Sequence, residues 1–160
     1  MQMANQSFKI VCANSNTFAS FNRKVLSEVS CDILCVQETR LSGCPKAGGP
    51  ESEAKAKLKK KGFKALFEPG SHTDKGSISA GVLIAWKTTL SSISMGTIVP
   101  HRAVGAIIHM ENLGQVLVIS VYGHDSSWEK TQVDLAKILN WPPPQASLSF
   151  LRETSMRALS

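Results

Sequence analysis

The chain is 160 residues long and 42% hydrophobic, the length of one domain with enough apolar material for a core and too little for a second large domain. Eighteen Lys and Arg stand against 12 Asp and Glu, a formal net charge of +6, which favours an anionic partner, nucleic acid first. The longest apolar runs, such as residues 82–86, are strand-sized and exclude a helical membrane span. No signal or transit segment can be read in residues 1–6, so the expected compartment is the nucleus or cytoplasm.

Residues 8–13 form a short apolar run opening into the polar group 14–17, the pattern of a strand that ends in a loop. Over 19–29, Phe21, Val25, Leu26 and Val29 recur at helical spacing opposite Asn22, Arg23, Lys24 and Glu28. A strand pattern resumes over 32–37, and the connection is long enough for a parallel crossover. After the Gly, Pro and Ser of 42–50, the segment 51–61 has acids first and lysines last, as a helix dipole prefers. Gly62 stops that helix, and residues 63–67 and 80–86 read as strands joined by the turn-rich stretch 69–79. Residues 104–110 and 116–121 flank Glu111-Asn112-Leu113-Gly114 as a hairpin. A last helix is expected over 127–139.

The predicted order, β-α-β-α-β-β-β-β-α, gives an α/β fold with a mixed sheet and flanking helices. The pattern then stops: 140–145 holds three consecutive prolines, and 146–160 offers only a weak amphipathic helix. The domain is expected to span 1–139, with 140–160 an unrelated tail. The four cysteines, at 12, 31, 35 and 44, match neither a zinc pair nor a disulfide framework. Cys12 and Cys35 read as small buried apolar residues.

Two strings carry a resemblance. Phe8-Lys9-Ile10-Val11-Cys12-Ala13-Asn14-Ser15-Asn16, followed by Asp32-Ile33-Leu34-Cys35-Val36-Gln37-Glu38-Thr39-Arg40, resembles the opening of the endonuclease/exonuclease/phosphatase superfamily, which includes abasic-site repair nucleases and LINE-type retroelement endonucleases. Ser79-Ala80-Gly81-Val82-Leu83-Ile84 looks like its Gly-Val-rich strand, and Val118-Ile119-Ser120-Val121-Tyr122-Gly123 like the strand ending in its active-site tyrosine. The likeness covers about residues 8–139. It implies part of a four-layer αββα sandwich and metal-dependent phosphodiester hydrolysis, endonuclease-like, with Mg²⁺ as cofactor. It departs from the family at His124, where proline is usual, and in lacking the later Gly-Asp-x-Asn and Asp-His motifs.

That chemistry needs a cation to polarise phosphate, a base for water, and donors for developing charge. On spacing alone, Glu38 reads as a solvated loop glutamate and Asn14 as a turn residue bonding its own backbone. The resemblance instead makes Glu38 a metal ligand, a hard-oxygen donor of the kind Mg²⁺ takes. It makes Asn14 an orienting group, Asn16 a substrate contact and Tyr122 a phosphate contact, with an ordinary half-buried tyrosine the alternative for Tyr122. Arg102 could border the same cleft or simply precede a strand. Lys59, Lys60 and Lys61 could hold a nucleic-acid backbone or be a solvated helix face. The four histidines share no ligand spacing. Asp125 is the one nearby substitute for the missing base.

Three readings stay open: a Mg²⁺-dependent phosphodiesterase, a non-catalytic basic binding module, and a fragment complemented by a partner. The substrate could be nucleic acid or another phosphoester. With the family's second sheet missing, the first is expected to show an uncovered apolar face that invites self-association, and the chain is expected to be a truncated, inactive fragment.

Overall fold

The computed structural model describes residues 7–43 and 48–141. β1 (Ile10–Asn14) leads into a short helix α1 (Phe18–Phe21), which widens into a π-turn over Asn22–Leu26 and is followed by β2 (Ile33–Gln37). Next come α2 (Pro50–Lys60), β3 (Phe63–Glu68), a two-residue ladder of β4 (Ser71–His72) with β5 (Ile78–Ser79), and β6 (Val82–Lys87). The chain continues through β7 (Ser92–Val99), β8 (Ala103–Met110), β9 (Gly114–Val121) and α3 (Trp128–Leu139). Among the described residues no helix is long and apolar enough to cross a membrane.

The first sheet has the order β1-β2-β6-β3. β1 and β2 run parallel, with Asn14 opposite Gln37, and β6 is antiparallel to both of its neighbours, so that Val82 stands opposite Gln37 and Glu68. β2 is buried from Ile33 to Val36, as a strand covered on both faces should be. On one face Leu34, Val36 and Leu83 meet Phe18, Phe21 and Leu58 of the helical layer. The helical layer is set by local signals: the Thr17 hydroxyl accepts the Ser20 N–H at 3.1 Å, and α2 starts on Pro50 and ends before Gly62 at φ 82°.

On the other face Ile33, Ile84 and Trp86 meet Val104, Ala106 and Ile108 of a second sheet, ordered β7-β8-β9. This corrects the expectation of an uncovered sheet: the chain supplies its own cover, and the apolar face on which self-association was to rest is core. The sequence pattern missed β7 because Ser92, Ser94, Gly96 and Thr97 dilute its apolar residues and two irregularities interrupt its register with β8. Cys12 is exposed on the edge strand rather than buried. Cys35 is buried, and burial first, then the neighbouring Cys12, pushes its thiol up to about 12.

Trp141 lies over the outer face of the second sheet, where a Cβ on Gly105 would sit 2.8 Å from its ring. Cys44, the three prolines and the weak helix of 146–160 lie outside the described residues.

Candidate functional site

β1, β2, β3 and β9 end, and β6 and β8 begin, at one edge of the two sheets. Backbone strain concentrates there. Every left-handed non-glycine among the described residues belongs to this edge: Asn16 at φ 56°, Glu38 at 55°, Arg40 at 49°, Ala80 at 60° and His101 at 65°. Such conformations cost of order 1 kcal/mol or more each and persist only where surrounding contacts fix them. The Thr39 and Arg40 N–H groups donate to the Gly81 and Ala80 carbonyls, both at 3.1 Å, and the Ser15 hydroxyl donates to the Gln37 carbonyl at 3.1 Å. Gln37 Nε2 donates to the buried Ser120 hydroxyl at 3.3 Å, bridging the sheets.

Gly81 has φ 87°, and a Cβ there would meet Thr39 Oγ1 at 2.6 Å and the Gly70 nitrogen at 3.0 Å. Gly81→Ala is expected to cost about 2–4 kcal/mol, strain plus overpacking, read as a lowered denaturant midpoint. A midpoint equal to that of the parent chain would show that this edge is soft.

At the centre of the edge, the Tyr122 hydroxyl donates to Glu38 Oε1 and lies 3.0 Å from each carboxylate oxygen of Asp125. A phenol carries one proton. Two carboxylates therefore compete for one donor. Burial first, then hydrogen bonds to Glu38 and Asp125, raises the phenol well above its ordinary range. Arg40 approaches Glu38 Oε2 at 3.8 Å, and the Arg102 guanidinium lies 5.3 Å from the centre of the Tyr122 ring while donating to the Gly123 carbonyl at 2.5 Å.

Glu38, Tyr122 and Arg102 are thus brought together, and Asp125 joins them. Asn14 and Asn16 are not in that group: Asn14 Oδ1 accepts the Asn16 N–H at 3.3 Å in an Asx turn, and both residues line a neighbouring recess of about 180 Å³ with Ser20 and Lys24. Lys59, Lys60 and Lys61 are exposed at the other end of β3, about 17 Å from this edge at ~3.3 Å per residue.

The sequence reading missed a pairing beside the site. His124 Nε2 lies 2.9 Å from Asp134 Oδ2, and the His124 N–H donates to Thr131 Oγ1 at 2.9 Å. Its signal was the helical phase of α3, which puts Thr131 and Asp134 on one face. Among the described residues no group of three or more His, Cys, Asp or Glu is placed to hold a metal ion, so a cation at Glu38 and Asp125 would draw its remaining oxygens from water and phosphate. That donor set suits Mg²⁺, which binds through one or two carboxylates.

Solved structures share this fold. The 3′ phosphatase NExo from Neisseria, bound to a product DNA hairpin, aligns with 94% of this chain at a TM-score of 0.56 and 20% identity. The chain shares the mixed α/β fold of that structure. The 3′-5′ exonuclease NExo of Neisseria meningitidis aligns with 93% of the chain at a TM-score of 0.50 and 21% identity. The chain spans about half the length of each, 54% and 53%. No family model and no curated protein sequence matches it.

Proposed function

We propose that this edge is a divalent-cation and phosphate site of the kind the endonuclease/exonuclease/phosphatase superfamily uses on phosphodiesters, and that nucleic acid is its ligand. The observation that carries the reading is the convergence of Glu38 and Asp125 on one phenol beside Arg102. Glu38 and Asp125 would hold Mg²⁺, which when bound polarises a phosphoryl oxygen. With its carboxylate partners occupied, the Tyr122 hydroxyl is free to donate to phosphate, and Arg102 and Arg40 supply positive charge beside it. Asn14 and Asn16 border the next recess, where a flanking part of the strand would lie.

A second reading, a fragment that functions only when a partner complements it, is supported by one observation: NExo carries nearly as much chain again beyond the part matched here.

Binding of a short labelled duplex, titrated with and without Mg²⁺, tests both readings. The Mg²⁺-dependent component is expected to fall by more than about tenfold in Glu38→Ala, since even residues one shell away from a metal carry that much. Mg²⁺-independent binding that Glu38→Ala leaves unchanged would sink the proposal. The lysine arm is separate. Replacing Lys59, Lys60 and Lys61 with glutamine should lower the salt slope by about 0.9 for each phosphate no longer neutralised and leave the Mg²⁺-dependent component alone, because these residues stand a strand's length from Glu38.

A further inference from the structure

Glu68 takes no part in the site described above, yet it is only 8% exposed. A buried carboxylate is tolerated when its oxygens are bonded, and both are. Oε2 accepts the Thr97 hydroxyl at 2.5 Å, and Oε1 accepts the His101 backbone N–H at 2.9 Å. The end of β3 in the first sheet is thereby fastened to the β7–β8 corner of the second.

That corner is Val99-Pro100-His101-Arg102, closed by the Arg102 N–H on the Val99 carbonyl at 3.1 Å. Proline second and φ 65° third give the pattern of a type II turn, whose third position ordinarily takes Gly or Asn. Histidine is held there by contacts on several sides. Besides the bond to Glu68, its carbonyl accepts the Gly81 N–H at 3.0 Å, and its Nδ1 lies 2.7 Å from the Pro69 carbonyl oxygen. Arg102 comes next in the chain. Its carbonyl accepts the Tyr122 N–H at 2.8 Å, and its guanidinium lies over the Tyr122 ring.

We propose that Glu68 is a positioning residue for Tyr122: it holds the strained His101 corner from which Arg102 is delivered onto the phenol ring between Glu38 and Asp125. The inference deepens the proposed phosphate site and rests on it for its consequence, because a phenol that drifts from the carboxylates no longer reaches the phosphate. The relay itself is read from positions alone.

Tyr122 is the only tyrosine in the chain, so selective tyrosine labelling gives a single ring signal in the nuclear magnetic resonance spectrum that reports this corner. In the full chain, Glu68→Ala is expected to shift that signal and to weaken or lose its cross-peak to the Arg102 side chain, which lies over the ring. Thr97→Val should cause a smaller shift. Glu68→Gln, which keeps a carbonyl acceptor for the His101 N–H, should recover most of the parent spectrum. A purely structural Glu68 would lower the unfolding midpoint in all three variants and leave the ring signal and its cross-peak in the folded protein where they were, which overturns the proposal. Should Glu68→Ala fail to fold, Thr97→Val decides: a shifted ring signal supports the relay and an unchanged one ends it. The spectra need neither metal nor nucleic acid, so their failure is distinct from a loss of cation-dependent duplex binding.

Discussion

Purified as the 160-residue chain, the protein is expected to cleave abasic-site duplex, supercoiled plasmid and a simple phosphodiester at close to background rates, even with Mg²⁺ present. Hydrolysis needs a base for the attacking water, and each acid or base described near this edge is engaged elsewhere. Glu38 and Asp125 share the Tyr122 hydroxyl, Glu68 is committed to Thr97 and His101, and His124 to Asp134. General-base assistance is worth about 10²- to 10⁴-fold, and a missing preorganised donor about 10²- to 10³-fold more. The combined deficit is therefore about 10⁴-fold at least. Assays of all three substrates, with Glu38→Ala as the contamination control, check this. Robust Mg²⁺-dependent cleavage that vanishes in Glu38→Ala would overturn the expectation and make Asp125 the base, with Asp125→Asn the next variant to test.

The Tyr122 phenol should titrate well above an ordinary tyrosine. At about pH 11 a phenol with a pKa of about 10 is roughly nine-tenths ionised, whereas Tyr122 should remain mostly protonated, as near-ultraviolet absorbance will show. Burial is the leading cause, with the two carboxylates adding to it. Glu38→Gln and Asp125→Asn should therefore each move the midpoint down without bringing it to the ordinary value. Mg²⁺ bound by the same carboxylates should move it in the same direction. The folded state holds this proton more tightly than the unfolded chain does. The associated stability is thus fully present below about pH 10 and is lost as pH rises through the folded-state value. A phenol that titrates normally in the folded protein would remove the two-carboxylate contact from the site.

Most of the frame was legible in the sequence. The apolar strand run within 32–37 has its counterpart in β2, the acid-to-lysine gradient of 51–61 in α2, and the Asn112-Leu113-Gly114 turn in the β8–β9 hairpin. What was illegible depended on the third dimension. β7 has too few apolar residues to announce itself, and only its pairing with β8 makes it a strand. The expected continuous helix over 19–29 became four α-helical residues and a π-turn, a change of pitch that an apolar spacing does not record. Within the candidate site, Glu38 and Tyr122 were singled out by the resemblance of their strand ends to a known family, since spacing alone made Glu38 a solvated loop glutamate. The roles of Asp125, Asp134 and Glu68 depend on partners 3, 10 and 33 residues away, and only the folded loops bring those partners close. Asn14 illustrates the reverse case: the local reading, a turn asparagine, describes its hydrogen bond.

The insertion of β6 between β2 and β3 has a consequence for how the chain acquires its structure. The first sheet cannot close until residues 82–87 have been made, because its central partner comes last of the four strands. The second sheet is built only from neighbours in sequence, and sequence-local pairings cost little loop-closure entropy and form fast. The β7–β8–β9 meander is therefore the natural early unit, a preformed platform on which the slower, non-local sheet condenses. During synthesis, β1 and β2 emerge first and wait with β2 unpaired on the side reserved for β6. During that interval the β2 edge, which β6 covers in the finished fold, is open to mispairing.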